Sequence, residues 1–173
     1  MKHLLTAFCL CLLLMVCAGT EEEEEILYFN PLQSMEKLTI SPDSSGKDWK
    51  PGIVTDGDSK CIKIEPGGTF GAWVELPEGE TILFSVRMKF QDVKRKEEQK
   101  HWTGATFKAM LRIPGEKTAW PGRVMVGSSE WKTVTFKVNI PLGKGNAMAW
   151  IRCALEGATG TVWYRDLSAK VLK

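Results

Sequence analysis

Seven tryptophans are a rich supply for a chain of 173 residues. Trp73 and Trp150 fall on the polar side of alternating segments. Trp102 and Trp120 fall in loops, within His101-Trp102-Thr103-Gly104 and Ala119-Trp120-Pro121-Gly122. The polar sides of those segments also carry Glu75, Arg87, Lys89, Met110, Arg112 and Arg152. An exposed indole beside such side chains suits a pyranose: the apolar C–H face of the sugar stacks on the ring, and its hydroxyls need hydrogen bonds from neighbours. A planar guanidinium presents several donors in one plane and is well matched to that task. The alternative for each ring is a structural role. Trp131 opens the segment holding Val134 and Phe136 and reads as a plug at the core rim. Trp163 is in step with Leu167 and Ala169 and reads as core or part-core. Trp49, just before Pro51, reads as a cap on one end of the fold.

Other chemistries leave little trace. No nucleophile elbow, Walker loop, dinucleotide fingerprint or HExxH motif occurs. His101 is isolated in a charged stretch and reads as a surface residue. Glu75, Glu80, Glu116 and Glu156 are carboxylates that a glycosidase dyad would require at a specific separation; the ordinary reading is solvated surface acids. With 23 Lys+Arg against 21 Asp+Glu the net charge is +2, too small for the dense basic surface that nucleic acid demands. The sequence therefore predicts a binding protein and not an enzyme.

The elements that must position these residues are strands. Apolar residues recur with period two at Ile62 and Ile64, from Phe70 to Leu76, from Ile82 to Phe90, from Phe107 to Ile113, from Val134 to Ile140 and from Ala147 to Leu155. A last strand is expected from Thr161 to about Val171. Gly- and Pro-containing pairs separate the runs, as in Pro66-Gly67, Pro77-Glu78-Gly79, Pro114-Gly115 and Pro121-Gly122, and each suits a chain reversal. No window shows a helical apolar stripe. The highly charged stretch from Gln91 to His101 reads as an exposed loop or frayed helical turn. About eight short strands with regular turns predict an all-β fold, a two-sheet antiparallel β-sandwich.

The amino-terminal end predicts export. Met1-Lys2-His3 is a short basic start, the run from Leu4 to Ala18 is apolar, and Val16-Cys17-Ala18 suits signal-peptidase cleavage. Residues 1–18 are read as a signal peptide, 19–25 as an acidic spacer and 26–173 as one domain. The apolar run is too short to span a bilayer and no other segment approaches that length, so no transmembrane segment is expected. The expected location is secreted, periplasmic or cell-surface; lipoprotein anchoring at Cys17 is the less favoured variant, because Leu14-Met15-Val16 fits it poorly. After cleavage only Cys61 and Cys153 remain. They are candidates for a single disulfide in an oxidising compartment, although their strand parities disagree.

Several segments then resemble a known family. Gly160-Thr161-Val162-Trp163-Tyr164-Arg165-Asp166-Leu167, the run SSEWKTVTFKVNIPLGKGNAMAW before it, and CIKIEPGGTFGAWVELPEGETILFSVRMKF upstream are similar in kind and order to carbohydrate-binding modules of the 4/9/22 type. HWTGATFKAML followed by AWPG resembles versions appended to secreted bacterial polysaccharide hydrolases. The resemblance covers roughly Asp43 to Lys173. It implies a galactose-binding-like jelly roll that binds polysaccharide or cell-surface glycan without catalysis. On this reading Trp73, Trp102, Trp120 and Trp150, singled out above by their positions, are the stacking candidates, with Glu75, Arg87, Arg112 and Arg152 as polar partners. It also implies a structural calcium with a carboxy-terminal aspartate among its ligands, for which Asp166 is the candidate; Arg165 stands where relatives carry a first acid and would repel the ion. The second reading is an exported structural or protein-interaction domain of the cell envelope that binds a protein partner and no sugar.

Overall fold

The computed structural model describes residues 25–40, 51–98 and 100–173. Eleven strands follow one another: β1 (Glu25–Asn30), β2 (Thr39–Ile40), β3 (Gly52–Asp56), β4 (Ser59–Ile64), β5 (Thr69–Leu76), β6 (Thr81–Arg95), β7 (Gly104–Arg112), β8 (Gly122–Met125), β9 (Gly127–Asn139), β10 (Ala147–Glu156) and β11 (Ala158–Leu172). They form two antiparallel sheets. One runs β3-β4-β11-β6-β9, with β1 also paired to β11; the other runs β2-β5-β10-β7-β8. This is the two-sheet all-β sandwich that the alternation predicts. The expected signal segment and Trp49 lie outside the described residues, whereas Glu25 already pairs with Val171.

The alternating apolar residues turn inward and meet between the sheets. Ile82, Phe84, Val86, Met88 and Phe90 of β6 are buried, as are Phe107, Ala109 and Leu111 of β7 and Ala149, Ile151 and Cys153 of β10. Aromatic rings tie the layers together. Phe136 stacks on Phe84 at 4.9 Å within its own sheet and meets Phe107 of the opposite sheet edge-on at 5.0 Å. Tyr164 of β11 meets Phe70 of β5 edge-on at 5.7 Å, and its hydroxyl donates to the carbonyls of Thr106 and Ala154 at 2.8 and 3.0 Å. Burying a ring of this size contributes roughly 1.5–3 kcal/mol, about as much as each buried Ile, Leu or Val of the surrounding core.

Three local expectations are corrected. Gln91 to Arg95 is not loop but the end of β6, because Val93 is buried and Lys94 and Arg95 pair with Thr159 and Ala158. Trp163 is not in step with Leu167: the pairing of β11 with β6 shifts between Arg165 and Ser168, with Asp166 at φ 55°, and this bulge moves the apolar parity by one. Trp163 consequently lies half-buried on the outer side of the six-stranded sheet, while Val162 and Tyr164 point into the core. Trp131 also lies on that outer side and not at the core rim, because its partner is Asp56 of β3.

Candidate functional site

The outer face of the five-stranded sheet assembles most of the candidate residues. Cross-strand pairing across β5, β10 and β7 sets them in rows: Gly71, Arg152 and Lys108; then Trp73, Trp150 and Met110; then Glu75, Met148 and Arg112. Residues on one face of a strand stand two apart, so adjacent rows are about 7 Å from each other. Trp73 and Trp150 stack at 6.3 Å with 26° between planes. Arg112 lies over Trp73 at 5.1 Å and Arg152 over Trp150 at 6.0 Å, each a guanidinium against an electron-rich ring face.

Gly71 explains the attitude of Trp150. A side chain at this position would run into the indole nitrogen of Trp150 and the carbonyl of Ile151. Without one, the Trp150 ring settles close to β5, half-buried, and its Nε1 has no hydrogen-bond partner among the described residues. Trp150 is therefore a floor, and Trp73, 42% exposed, is the ring offered to solvent.

Two hollows open on this face. One, of about 320 Å³, is lined by Trp102, Trp120, Lys108, Arg152 and Glu156. Trp102 and Trp120 are about half exposed there. Both are held by short-range bonding. Lys108 Nζ donates to the Trp102 carbonyl at 2.8 Å, and Arg95 Nε donates to the carbonyl of Thr103 at 3.1 Å. Ala119 exchanges backbone hydrogen bonds with Leu111, which lays the segment before β8 against β7 and sets Trp120 at the rim. Glu156 accepts from Arg152 at 2.9 Å and pairs with Lys108 at 3.5 Å. Burial pushes the Lys108 ammonium below its usual range; Glu156 opposes that shift and Arg152 adds to it. The other hollow, of about 430 Å³, is lined by Trp73, Arg112, Ile113, Pro114, Asn146 and Met148. Asn146 Nδ2 donates to Glu75 at 2.9 Å beside it.

Seven of the eight candidate binding residues thus share one face. The exception is Arg87, which sits on β6 of the other sheet, paired in register with Arg165 and Thr133. A strand's parity says which side a residue takes within its own strand but not which sheet that strand joins. The outer side near Arg87 holds a separate network: Trp131 donates to Asp56, Lys89 binds both Asp56 oxygens at 3.3 Å and reaches Glu130 at 3.6 Å, and Arg165 lies over Trp131 at 4.3 Å. Lys108, Asn146 and Met148 complete the first face but were not among the sequence candidates. Lys108 was recoverable, since it shares the phase of Met110 and Arg112.

The remaining candidates do not assemble into sites. Cys61 and Cys153 are free thiols, which corrects the disulfide expectation. Cys153 belongs to the core between the sheets, whereas Cys61 precedes inward-facing Ile62 and donates to the Val54 carbonyl at 3.7 Å within its own sheet. Asp166 lies 3.8 Å from Arg165 Nε, and among the described residues no group of three His, Cys, Asp or Glu side chains could hold a metal ion. The residues present therefore do not fit a calcium ion at Asp166. Glu75 and Glu156 share the face, but Glu75 pairs with Met148, eight residues from Glu156 along β10, so the two backbones stand about 27 Å apart. A glycosidase pair needs its carboxyls within about 10 Å.

No protein-family model matches the sequence, and the search of curated proteins gives no match. Among solved structures, a CBM4 carbohydrate-binding module superimposes with a TM-score of 0.52 at 14% identity, covering 89% of this chain and 97% of that one. The CBM22-1-GH10 modules of Clostridium thermocellum endo-1,4-β-D-xylanase 10B, complexed with xylohexaose, give 0.54 at 13% identity, over 86% of this chain and 29% of theirs. The enzymatically active domain of bacteriophage CBA120 tailspike protein 4 gives 0.50 at 12% identity, over 82% of this chain and only 20% of that one. The fold is thus shared with carbohydrate-binding modules, as the resemblance in sequence implies. No helix among the described residues is long and apolar enough to cross a membrane.

Proposed function

We propose that the β-sandwich, which begins at Glu25 in β1, forms a non-catalytic carbohydrate-binding module, exported behind a signal peptide at residues 1–18 and an acidic spacer that runs from residue 19 to that strand. A polysaccharide or cell-surface glycan lies across the outer face of β5, β10 and β7. The observation that carries this reading is the alignment on one face of three exposed indoles, Trp73, Trp102 and Trp120, with Arg112 beside the first, Arg152 in the hollow of the other two, and Glu75 in the row of Arg112. Sugar rings stack on the indoles, and the guanidiniums, Asn146 and Glu75 take the hydroxyls. A comparison in keeping with it is the xylanase whose CBM22-1 and GH10 modules together are described as complexed with xylohexaose.

The test is titration against soluble glucans, xylans and mannans, followed by calorimetry and tryptophan fluorescence. At least one glycan is expected to bind, and Trp73→Ala is expected to weaken it roughly tenfold with little change in melting temperature, because Trp73 stacks on the surface and not in the core. Should none bind and the fluorescence stay constant, the reading fails and the envelope-protein domain with a protein partner takes its place.

A further inference from the structure

Resting on that sugar-binding reading, we infer that the ligand is an acidic polysaccharide, whose anionic oxygens (a uronate carboxylate or a sulfate ester) are held at the two ends of the face while its rings cross the Trp73–Trp150 floor. The charges at each hollow point this way. At the first, Lys108 and Arg152 converge on the single carboxylate of Glu156, so two cations face one anion. Lys108 is only 9% exposed, which makes its positive charge costly to leave half-compensated. At the second, Arg112 has its ring contact with Trp73 and no ion pair among the described residues. Glu75 stands two strands away in the same row, about 10 Å across, and is engaged by Asn146.

The lining of each hollow thus carries one net positive charge, with the Glu75 carboxylate outside the second lining and about 10 Å from the Arg112 strand, and the rows of Arg152 and Arg112 lie about 13 Å apart along β10 with the stacked indoles between them. A sequence of cation, aromatic floor and cation fits a polymer with apolar ring faces and spaced anionic groups. A neutral glycan would use the indoles but leave both surplus charges unmatched. A guanidinium accepts carboxylate or sulfate through two parallel hydrogen bonds, an arrangement worth more than a hydroxyl contact. Single-stranded nucleic acid also combines rings with anions, but it carries a charge at every nucleotide and calls for a continuous basic groove, whereas Glu75 and Glu156 interrupt this face.

The experiment titrates the full chain with polygalacturonate, its fully methyl-esterified form, a sulfated galactan and the same galactan without sulfate. A single-stranded oligonucleotide serves as a further competitor. At least one acidic polymer is expected to bind about tenfold tighter than its neutral counterpart, with the advantage shrinking as salt rises from about 50 to 300 mM. Whether polygalacturonate or the sulfated galactan binds more tightly distinguishes carboxylate from sulfate. Arg112→Gln removes one of the two cationic ends and is expected to weaken the acidic polymer several-fold more than its neutral counterpart, which also loses a hydroxyl contact; Arg112→Lys should restore only part of that difference. Equal binding of acidic and neutral forms overturns the inference and leaves the sugar-binding reading intact. So does binding to neutral glucans, xylans or mannans with none to the acidic polymers. Failure of every glycan overturns both. An oligonucleotide that competes equally well, or an Arg112→Gln variant that keeps the full preference, also overturns it.

Discussion

Asp56 receives the indole N–H of Trp131 and the ammonium of Lys89, and the first of these is the larger reason that its carboxyl titrates below the usual range. Lys89 titrates upward in return, chiefly through its hydrogen bond to Asp56. Because the folded carboxyl is the stronger acid, its contribution is complete above the unfolded value of about 4 and is lost as pH falls through the lower folded value. Asp56→Ala should therefore lower the melting temperature by about 3 °C near neutral pH, with the gap from the parent closing progressively below about pH 4. Melting curves of the two proteins across that range check it. The residues of this network resemble the binding-face set in type, with tryptophan, arginine and acid side by side. They differ in exposure: Trp131 and Trp163 lie partly buried in their network, whereas Trp73, Trp102 and Trp120 stand about half exposed on the other sheet.

At the scale of elements, β10 is the strand on which the proposed binding face depends, since it lies between β5 and β7 and carries Met148, Trp150 and Arg152 outward on one side and Ala149, Ile151 and Cys153 inward on the other. Its approach to β5 relies on the missing side chain at Gly71. Gly71→Ala must push apart backbone and indole together, and a loss of about 5 °C in melting temperature is expected, with a shift in tryptophan emission as Trp150 is displaced. Thermal unfolding followed by fluorescence reads both. The bulge in β11 has the opposite character. It adds a residue without costing the core, and in doing so turns Trp163 outward and returns Leu167, Ala169 and Val171 to the interior.

For the molecule as a whole, the proposed binding face is one outer surface of a sandwich whose interior is already filled. Ligand should therefore add to stability without rearranging the fold. At a concentration about a hundredfold above its dissociation constant, a bound glycan is worth about 2.7 kcal/mol, which corresponds to a rise of about 5–10 °C in melting temperature for a protein of this size. Differential scanning fluorimetry with and without the glycan measures this. A rise with the parent that vanishes in Trp73→Ala would separate binding at this face from nonspecific stabilisation.

The period of two along β6, β7, β9 and β10 already determined that the fold is all-β, which residues form its core and which point away from it, because alternation is a property of each strand's own backbone. Gly71 and the bulge at Asp166 could not be read the same way: one matters through a ring on a neighbouring strand, the other through an extra residue that breaks the alternation itself. Nor could the split of the outward residues between two sheets, which left Arg87 opposite the other candidates. Pairing joins strands distant in the chain, and only the folded arrangement brings Trp73 of β5, Trp150 of β10 and Arg112 of β7 into adjacent rows.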